Sequence, residues 1–223
     1  MRKIVGNRPV LTAPVAPVLR HLIDEVVHRV VSDSTSKDGY MRCADYAIVG
    51  ARVLTLLTQV TYRPVAGGEV MNFGDGVLYV LCSPRERRRN AKHLSQLSRY
   101  HCWIEGKHAC PDGSSRVEVV DFTVRHSHAA ASEVDLPFKR PHERFLWTWE
   151  DENVVPPELQ SHPAFAKKGL RWRWAERNCT DLLRAYEKER PNHYGRQVSR
   201  ALELFADHVE NGVDHLKTFA MSM

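Results

Sequence analysis

The sequence lacks any long apolar segment and any regular set of cysteines. No stretch approaches the ~20 consecutive apolar residues of a membrane span. Asn7, Arg8 and Pro9 interrupt the N-terminal segment, which argues against a signal peptide. The five cysteines are odd in number and irregularly spaced, unlike those of a secreted disulfide scaffold. These absences predict a protein of the reducing cytoplasm that has no membrane partner.

Charge of one sign is also not strongly concentrated. The 32 basic and 27 acidic residues leave a net charge of +5, a balance that favours anionic partners only mildly. The one basic run lies within residues 85–92 and contains no interleaved aromatic side chains, so a solvated surface explains it better than a nucleic-acid patch. We therefore predict no nucleic-acid partner.

Hydrophobic periodicity predicts helices at both ends of the chain. Apolar residues from Val18 to Val31 recur at helical spacing, and a second helical pattern begins at Ala44, directly after Cys43. Two more helical patterns cover residues 175–189 and 195–219.

Between these helices the period changes to that of strands. The predicted strands are 60–63 and 69–73 around a Gly67-Gly68 turn, a buried strand at 77–82, and a pair at 100–105 and 116–123. A short helix is predicted after Ser83, which stands at a capping position. Helices first, an antiparallel sheet next and helices last indicate the α+β class.

The predicted organisation is a single domain over residues 1–223. Its catalytic core would span 17–130, and a Trp-rich, helical C-terminal extension at 140–223 would pack on that core. A chain of this length can bury a hydrophobic core without metals or disulfides.

Cys43 stands at the predicted start of the second helix. The unpaired amides and positive dipole end of a helix N-terminus stabilise a thiolate, which lowers the pKa of the cysteine and makes it a nucleophile. The same amides could donate to the oxyanion that forms during acyl transfer. The structural alternative is that Cys43 is a small core residue.

His101 and Asp121 lie on the two strands of the predicted pair. In a strand, His101 and Trp103 share one face while Cys102 points to the other. A carboxylate at Asp121 on the neighbouring strand could orient the imidazole and stabilise its charged form. Each residue alone also has a structural explanation. A helix-leading Cys followed by a strand His and a strand Asp is the order that nucleophilic catalysis requires.

Three short motifs resemble the papain-like superfamily in its transglutaminase-like branch. They are Cys-x-x-x-Ala at Cys43, His-x-Trp-x-Glu from His101 to Glu105, and a hydrophobic-Asp-x-Thr strand end at Asp121. The resemblance covers residues 39–124 and extends to bacterial families of unknown function in this superfamily. It implies a papain-like fold, a Cys43 nucleophile, a His101 acid and base, and an orienting Asp121. It implies a peptide or amide-containing substrate, and neither a cofactor nor a metal.

The chain departs from the family pattern at the side-chain oxyanion donor. The nearest candidates before the nucleophile are Tyr40 and Arg42, and Trp103 and Glu105 are candidates for substrate contact. With water as the acceptor the reaction is that of a peptidase or amidase; with an amine it is that of a transglutaminase or N-acyltransferase. The sequence leaves that choice open.

Two other functions remain open from the sequence. One is zinc binding by a cluster of residues with suitable ligand atoms, although neighbouring strand residues face opposite sides: His101, Cys102, His108, Cys110, His126 and His128. The other is a papain-like binding module without turnover.

Overall fold

The computed structural model describes residues 15–35, 38–110, 112–165 and 169–221, with side chains up to residue 211. The predicted extended N-terminal segment lies outside the described residues, apart from Val15 and Ala16. The helices are α1 (Pro17–Ser32), α2 (Cys43–Thr58), α3 (Arg85–Asn90), α4 (Ser127–Glu133), α5 (Arg177–Lys188) and α6 (Pro191–Met221).

Within the described residues, six strands form one antiparallel sheet. They are β1 (Tyr62–Gly74), β2 (Val77–Leu81), β3 (His101–Ala109), β4 (Ser115–Asp121), β5 (Leu146–Trp149) and β6 (Arg173–Ala175). The main order is β2-β1-β3-β4-β5, and β6 pairs with the middle of β1. Helices beside an antiparallel sheet confirm the predicted α+β class.

The main hydrophobic core lies between α2 and the sheet. The apolar residues of α2 are buried almost all round, as in Ile48 and Leu54, because β1 and β3 cover one side of this helix while α1 and α6 cover others. Cys102 and Ile104 of β3 face this core. None of the described helices is long and apolar enough to cross a membrane.

The predicted turn at Gly67-Gly68 is wrong, because β1 runs straight through both glycines. A Cβ on Gly67 would lie 2.0 Å from the Trp174 carbonyl oxygen, and one on Gly68 would lie 2.1 Å from the Trp174 ring. The two glycines therefore admit the close approach of β6. The Gly-Gly pair, which is typical of a turn, here marks the place where β6 pairs with β1.

Two smaller predictions about this part of the chain also change. β2 is half-buried along its whole length and is not a buried strand, because it lies at the end of the sheet order. The short helix α3 begins after Pro84, and no side chain caps it.

The C-terminal third contributes strands as well as helices. β5 extends the sheet beside β4, and β6 pairs with β1 at Gly67, Gly68 and Glu69. α6 packs on α1 and α2, where the Tyr194 hydroxyl donates to Asp45 over 2.6 Å. The described residues beyond 140 therefore complete the sheet and touch the start of α2.

Candidate active site

Strand register gathers polar side chains on one face of the sheet. Gly67 of β1 pairs with His101, and Glu69 pairs with Arg173 of β6. Directly paired residues share a face, and so do residues two apart in a strand. Glu69, His101 and Arg173 therefore lie together.

The register between β3 and β4 adds Asp121 to this group. Ile104 pairs with Val120, so Asp121, the last residue of β4, stands opposite Trp103. Trp103 shares a face with His101, and their rings are stacked with centroids 6.2 Å apart and an interplanar angle of 15°. The carboxylate and the imidazole consequently meet at one end of the strand pair.

Cys43 reaches the same place from the helix side. It is the first residue of α2, and no side chain caps that helix start. The first backbone bond of α2 joins the Tyr46 N–H to the Arg42 carbonyl oxygen, which leaves the preceding amides without helical partners. His101 is likewise the first residue of β3, and the half-buried Cys43 thiol is close enough to its imidazole for the two to interact, which helps to lower the pKa of the thiol.

A dense ionic network surrounds His101. Its Nε2 lies 2.7 Å from Asp121 Oδ2 and 3.6 Å from Glu69 Oε2. The Arg173 guanidinium donates to both carboxylates, over 2.5 Å to Glu69 and 2.9 Å to Asp121. Thr123 donates its hydroxyl to the other Asp121 oxygen over 2.7 Å. With Nε2 engaged by carboxylate, Nδ1 is the ring nitrogen left for the thiol.

These contacts set the charge of the thiol and the imidazole. The Cys102 thiol donates a hydrogen bond that, against the effect of burial and together with His101, lowers the pKa of Cys43 to about 6. Burial lowers the pKa of His101, but the charges of Glu69 and Asp121 raise it well above its usual value. Both shifts favour a thiolate beside an imidazolium at neutral pH.

The carboxylate of Asp121 is held ionised. Burial raises the pKa of Asp121, but the charges of His101 and Arg173 and the hydrogen bond from Thr123 outweigh burial and bring it below its usual value. The pKa of the Cys102 thiol is raised well above its usual value by burial and by its hydrogen bond to Cys43. Cys102 therefore stays protonated and remains a donor.

Sequence reasoning missed three members of this site, Glu69, Arg173 and Cys102. Glu69 follows the two glycines that predict a turn, and Arg173 lies in the Trp-rich segment that is predicted to pack on the core. Cys102 points to the helix side of β3 as expected, but at the strand start that direction leads to Cys43. The alternation of β3, together with a helix start at Cys43 that has no side-chain cap, could have suggested Cys102. Glu69 and Arg173 could be found only from the register of β1 with β6.

The two candidates before the nucleophile have other partners. The Tyr40 hydroxyl donates to Glu133 of α4 over 2.5 Å, and Arg42 forms an ion pair with Asp45 in the first turn of α2. Neither prediction of an oxyanion donor gains support from these contacts. The backbone amides at the start of α2 are the donors that the structure places beside Cys43.

Trp103 and Glu105 have separate positions. Trp103 is buried against His101, whereas Glu105 accepts from the Trp103 indole over 3.1 Å and from Arg63 over 2.9 Å. Glu105 is four residues further along β3, so it holds the indole and does not reach the thiol.

The six residues of the predicted zinc cluster do not come together. Within the described chain, the one group with three suitable ligand atoms is Glu69, His101 and Asp121, whose atoms lie within 4.8 Å of one another. Arg173 already binds both of these carboxylates, and its positive charge opposes a cation there. We therefore assign the group to the ionic network.

Two cavities border the network. One, of about 270 Å³, is lined by His101, Asp121, Glu69 and Arg173 together with other polar side chains. The second, of about 480 Å³, is lined by aromatic and acidic residues including Trp103. Neither lining includes Cys43. Both linings include four residues from the C-terminal part of the chain: Asn153, Val154, Trp172 and Arg173.

Comparison with known proteins gives a fold likeness and no family. The chain matches no model of a known protein family and no curated protein. It is similar to a crystal structure named genomics APC5867, with a TM-score of 0.53 and 17% sequence identity, over 86% of this chain and 80% of that one. At this identity the likeness concerns the fold alone.

Proposed function

We propose that this protein catalyses cysteine-dependent acyl transfer through a thioester, with hydrolysis of an amide or peptide bond as its reaction. The observation that carries the proposal is the interaction of the Cys43 thiol with an imidazole that is itself held by Asp121 at 2.7 Å. A nucleophile beside a base, with the base held by an orienting group, is the requirement for covalent catalysis.

In the first half-reaction the Cys43 thiolate forms a bond to the substrate carbonyl carbon. The carbonyl π electrons move to oxygen, and the unpaired amides at the start of α2 stabilise the resulting oxyanion. When the intermediate collapses, the carbon–nitrogen bond breaks and the His101 imidazolium gives its proton to the leaving amine. The product is a thioester on Cys43 and a neutral imidazole.

In the second half-reaction the acyl group leaves the enzyme. His101 takes a proton from water, whose oxygen attacks the thioester carbon, and the carbon–sulfur bond breaks to restore the thiolate. Asp121 keeps the ring in place through both steps. An amine in place of water would give a new amide by the same route, as in a transglutaminase.

The papain-like fold is part of this proposal. A cysteine at the start of a core helix, packed against an antiparallel sheet that carries histidine and aspartate on adjacent strands, supports it. The five cysteines are free, which suits a reducing compartment such as the cytoplasm.

Site-resolved alkylation tests the proposal directly. Iodoacetamide labelling is followed by mass spectrometry between pH 5 and 9, with half-buried Cys110 as the internal comparison. We expect Cys43 to react with a midpoint near pH 6 and faster than Cys110 at neutral pH. Equal rates would instead favour an inert binding module.

Acyl trapping then tests the chemistry. With p-nitrophenyl acetate we expect a transient acetyl group on Cys43 that disappears with time and is absent in Cys43→Ala. Adding a primary amine distinguishes the acceptors, since an N-acetyl product identifies amine transfer. Metal analysis of the purified protein tests the zinc alternative, which a stoichiometric zinc would favour.

A further inference from the structure

We propose that Glu69 and Arg173 are positioning residues of this site: Glu69 is a second carboxylate for the His101 imidazolium, and Arg173 fixes both carboxylates around it. This inference rests on the proposed function and extends it beyond the three residues of the resemblance. The chemistry is unchanged, and the addition concerns which groups keep the imidazole charged and oriented.

The geometry around Nε2 carries the inference. Asp121 accepts at 2.7 Å, and Glu69 Oε2 lies 3.6 Å from the same nitrogen. The other Glu69 oxygen is bound by Arg173, which also binds the Asp121 oxygen that His101 uses. The guanidinium thus ties the two carboxylates together on the side of the ring away from the thiol.

Charge balance in the buried site points the same way. Glu69, Asp121, His101 and Arg173 each have side chains at most 12% exposed. With the Cys43 thiolate the site holds three anions, of which the guanidinium and the imidazolium compensate two, whereas a neutral imidazole would leave two negative charges without a counterpart. Uncompensated buried charge is strongly unfavourable, so this set of residues favours the charged ring.

The short strand β6 places Arg173 beside Glu69. It is three residues long, and Arg173 is its first residue. Its approach to β1 depends on the two glycines, Gly67 and Gly68, that stand immediately before Glu69. The same crossing therefore aligns Arg173 with Glu69 and brings both to His101.

The test is the pH profile of Cys43 alkylation in Glu69→Gln. Other ionisable groups that face the thiol and the ring stay in place: Asp121, Arg173, Cys102 and Tyr100. Without the second carboxylate the imidazolium is less stable, so the ring becomes neutral at a lower pH. The thiolate then loses its counter-charge, and the midpoint of Cys43 alkylation moves to higher pH. We expect about a fivefold fall in the rate at pH 6, the effect of roughly one pKa unit on a group at its midpoint.

Matched variants separate positioning from packing. Glu187 binds Arg52 at a distance of 2.7 Å, outside the site. Glu187→Gln removes that carboxylate and should leave the pH profile of Cys43 alkylation unchanged. Glu69→Asp keeps the negative charge, so its alkylation midpoint should lie between those of the wild type and Glu69→Gln. A merely structural role would instead expose buried Cys179 to label and leave the Cys43 midpoint where it was.

The outcomes also separate this inference from the proposed function. A wild-type midpoint at the usual thiol value would overturn the proposed function itself. A low wild-type midpoint that Glu69→Gln does not move would overturn only the role of Glu69. Should Glu69→Gln not fold, Arg173→Lys retains the positive charge but not the two-carboxylate grip; an unchanged profile in that variant would refute the inference.

Discussion

The β3–β4 pair carries two histidine–carboxylate couples that differ in their surroundings. At one end His101 meets Asp121, with Glu69, Arg173 and the Cys43 thiol around them. At the other end His108 Nε2 lies 3.2 Å from Glu118. In both couples the carboxylate lies two residues from the position opposite the histidine, although the couples face opposite sides of the sheet.

The neighbours of Glu118 are neutral donors. The Tyr62 hydroxyl donates to it over 2.5 Å and the Trp147 indole over 2.7 Å. Burial, and the hydrogen bond to Glu118, raise the pKa of Tyr62, so this phenol remains a donor. A carboxylate satisfied by neutral groups fixes packing, whereas one surrounded by charges sets the protonation of its histidine. The comparison teaches that the setting of a couple, and not its presence, indicates chemistry.

Replacing the two histidines, one at a time, should show the largest difference between the two couples. In His101→Gln the thiol loses its imidazolium, so we expect the Cys43 alkylation rate at pH 7 to fall about a hundredfold, within the range for loss of an acid–base partner. In His108→Gln the rate should stay within about twofold. Comparable losses in both variants would mean that the two couples are equivalent.

Removing the buried carboxylate at the other end should affect stability and not labelling. Glu118→Val leaves the Trp147 indole without its acceptor and the Tyr62 hydroxyl with only the longer contact to His108 Nε2 at 3.3 Å, at about 1–3 kcal/mol for an unsatisfied group. We expect a lower midpoint in urea unfolding and an unchanged pH profile for Cys43. A shifted profile would show that this end is coupled to the thiol.

A smaller effect is expected from the thiol donor. Cys102→Ala removes the hydrogen bond that contributes most to the low pKa of Cys43, so the alkylation midpoint should rise above pH 6 and the rate at pH 6 should drop by about tenfold or less. Cys102→Ser keeps a donor and should remain near wild type. If alanine and serine behave alike, the hydrogen bond does not set the pKa.

The smallest effect is expected at Tyr40. Tyr40→Phe removes only a bond to Glu133 that is exposed to solvent, so its stability cost should be within about 0.5 kcal/mol. The Cys43 labelling rate should be unchanged within about twofold. A large loss would restore Tyr40 as an oxyanion donor.

The parts of the fold that depend on local sequence were predictable. The helix at Pro17–Ser32 matches the apolar stripe from Val18, and Cys43 is the first residue of its helix. The strand pair that carries His101 and Asp121 also follows its alternation. These features are local because helical spacing, strand alternation and helix starts are each written in a few consecutive residues.

The parts that depend on pairing were not predictable. Glu69 and Arg173 meet because β6 crosses β1, and nothing within either segment states that register. Gly67 and Gly68 carry the signal of the crossing, but the same residues are typical of a turn. The predicted catalytic residues and the four oxyanion and substrate candidates therefore omit Glu69 and Arg173, which join His101 only once distant strands are aligned.

The three residues of β6 also determine when the site can be assembled. During synthesis the chain supplies Cys43, His101 and Asp121 well before Arg173 leaves the ribosome. Until that arginine docks, two carboxylates whose oxygens lie within 4.8 Å of each other and of the imidazole have no guanidinium between them. The charge arrangement around His101 is therefore complete only once the C-terminal third of the chain has paired with β1.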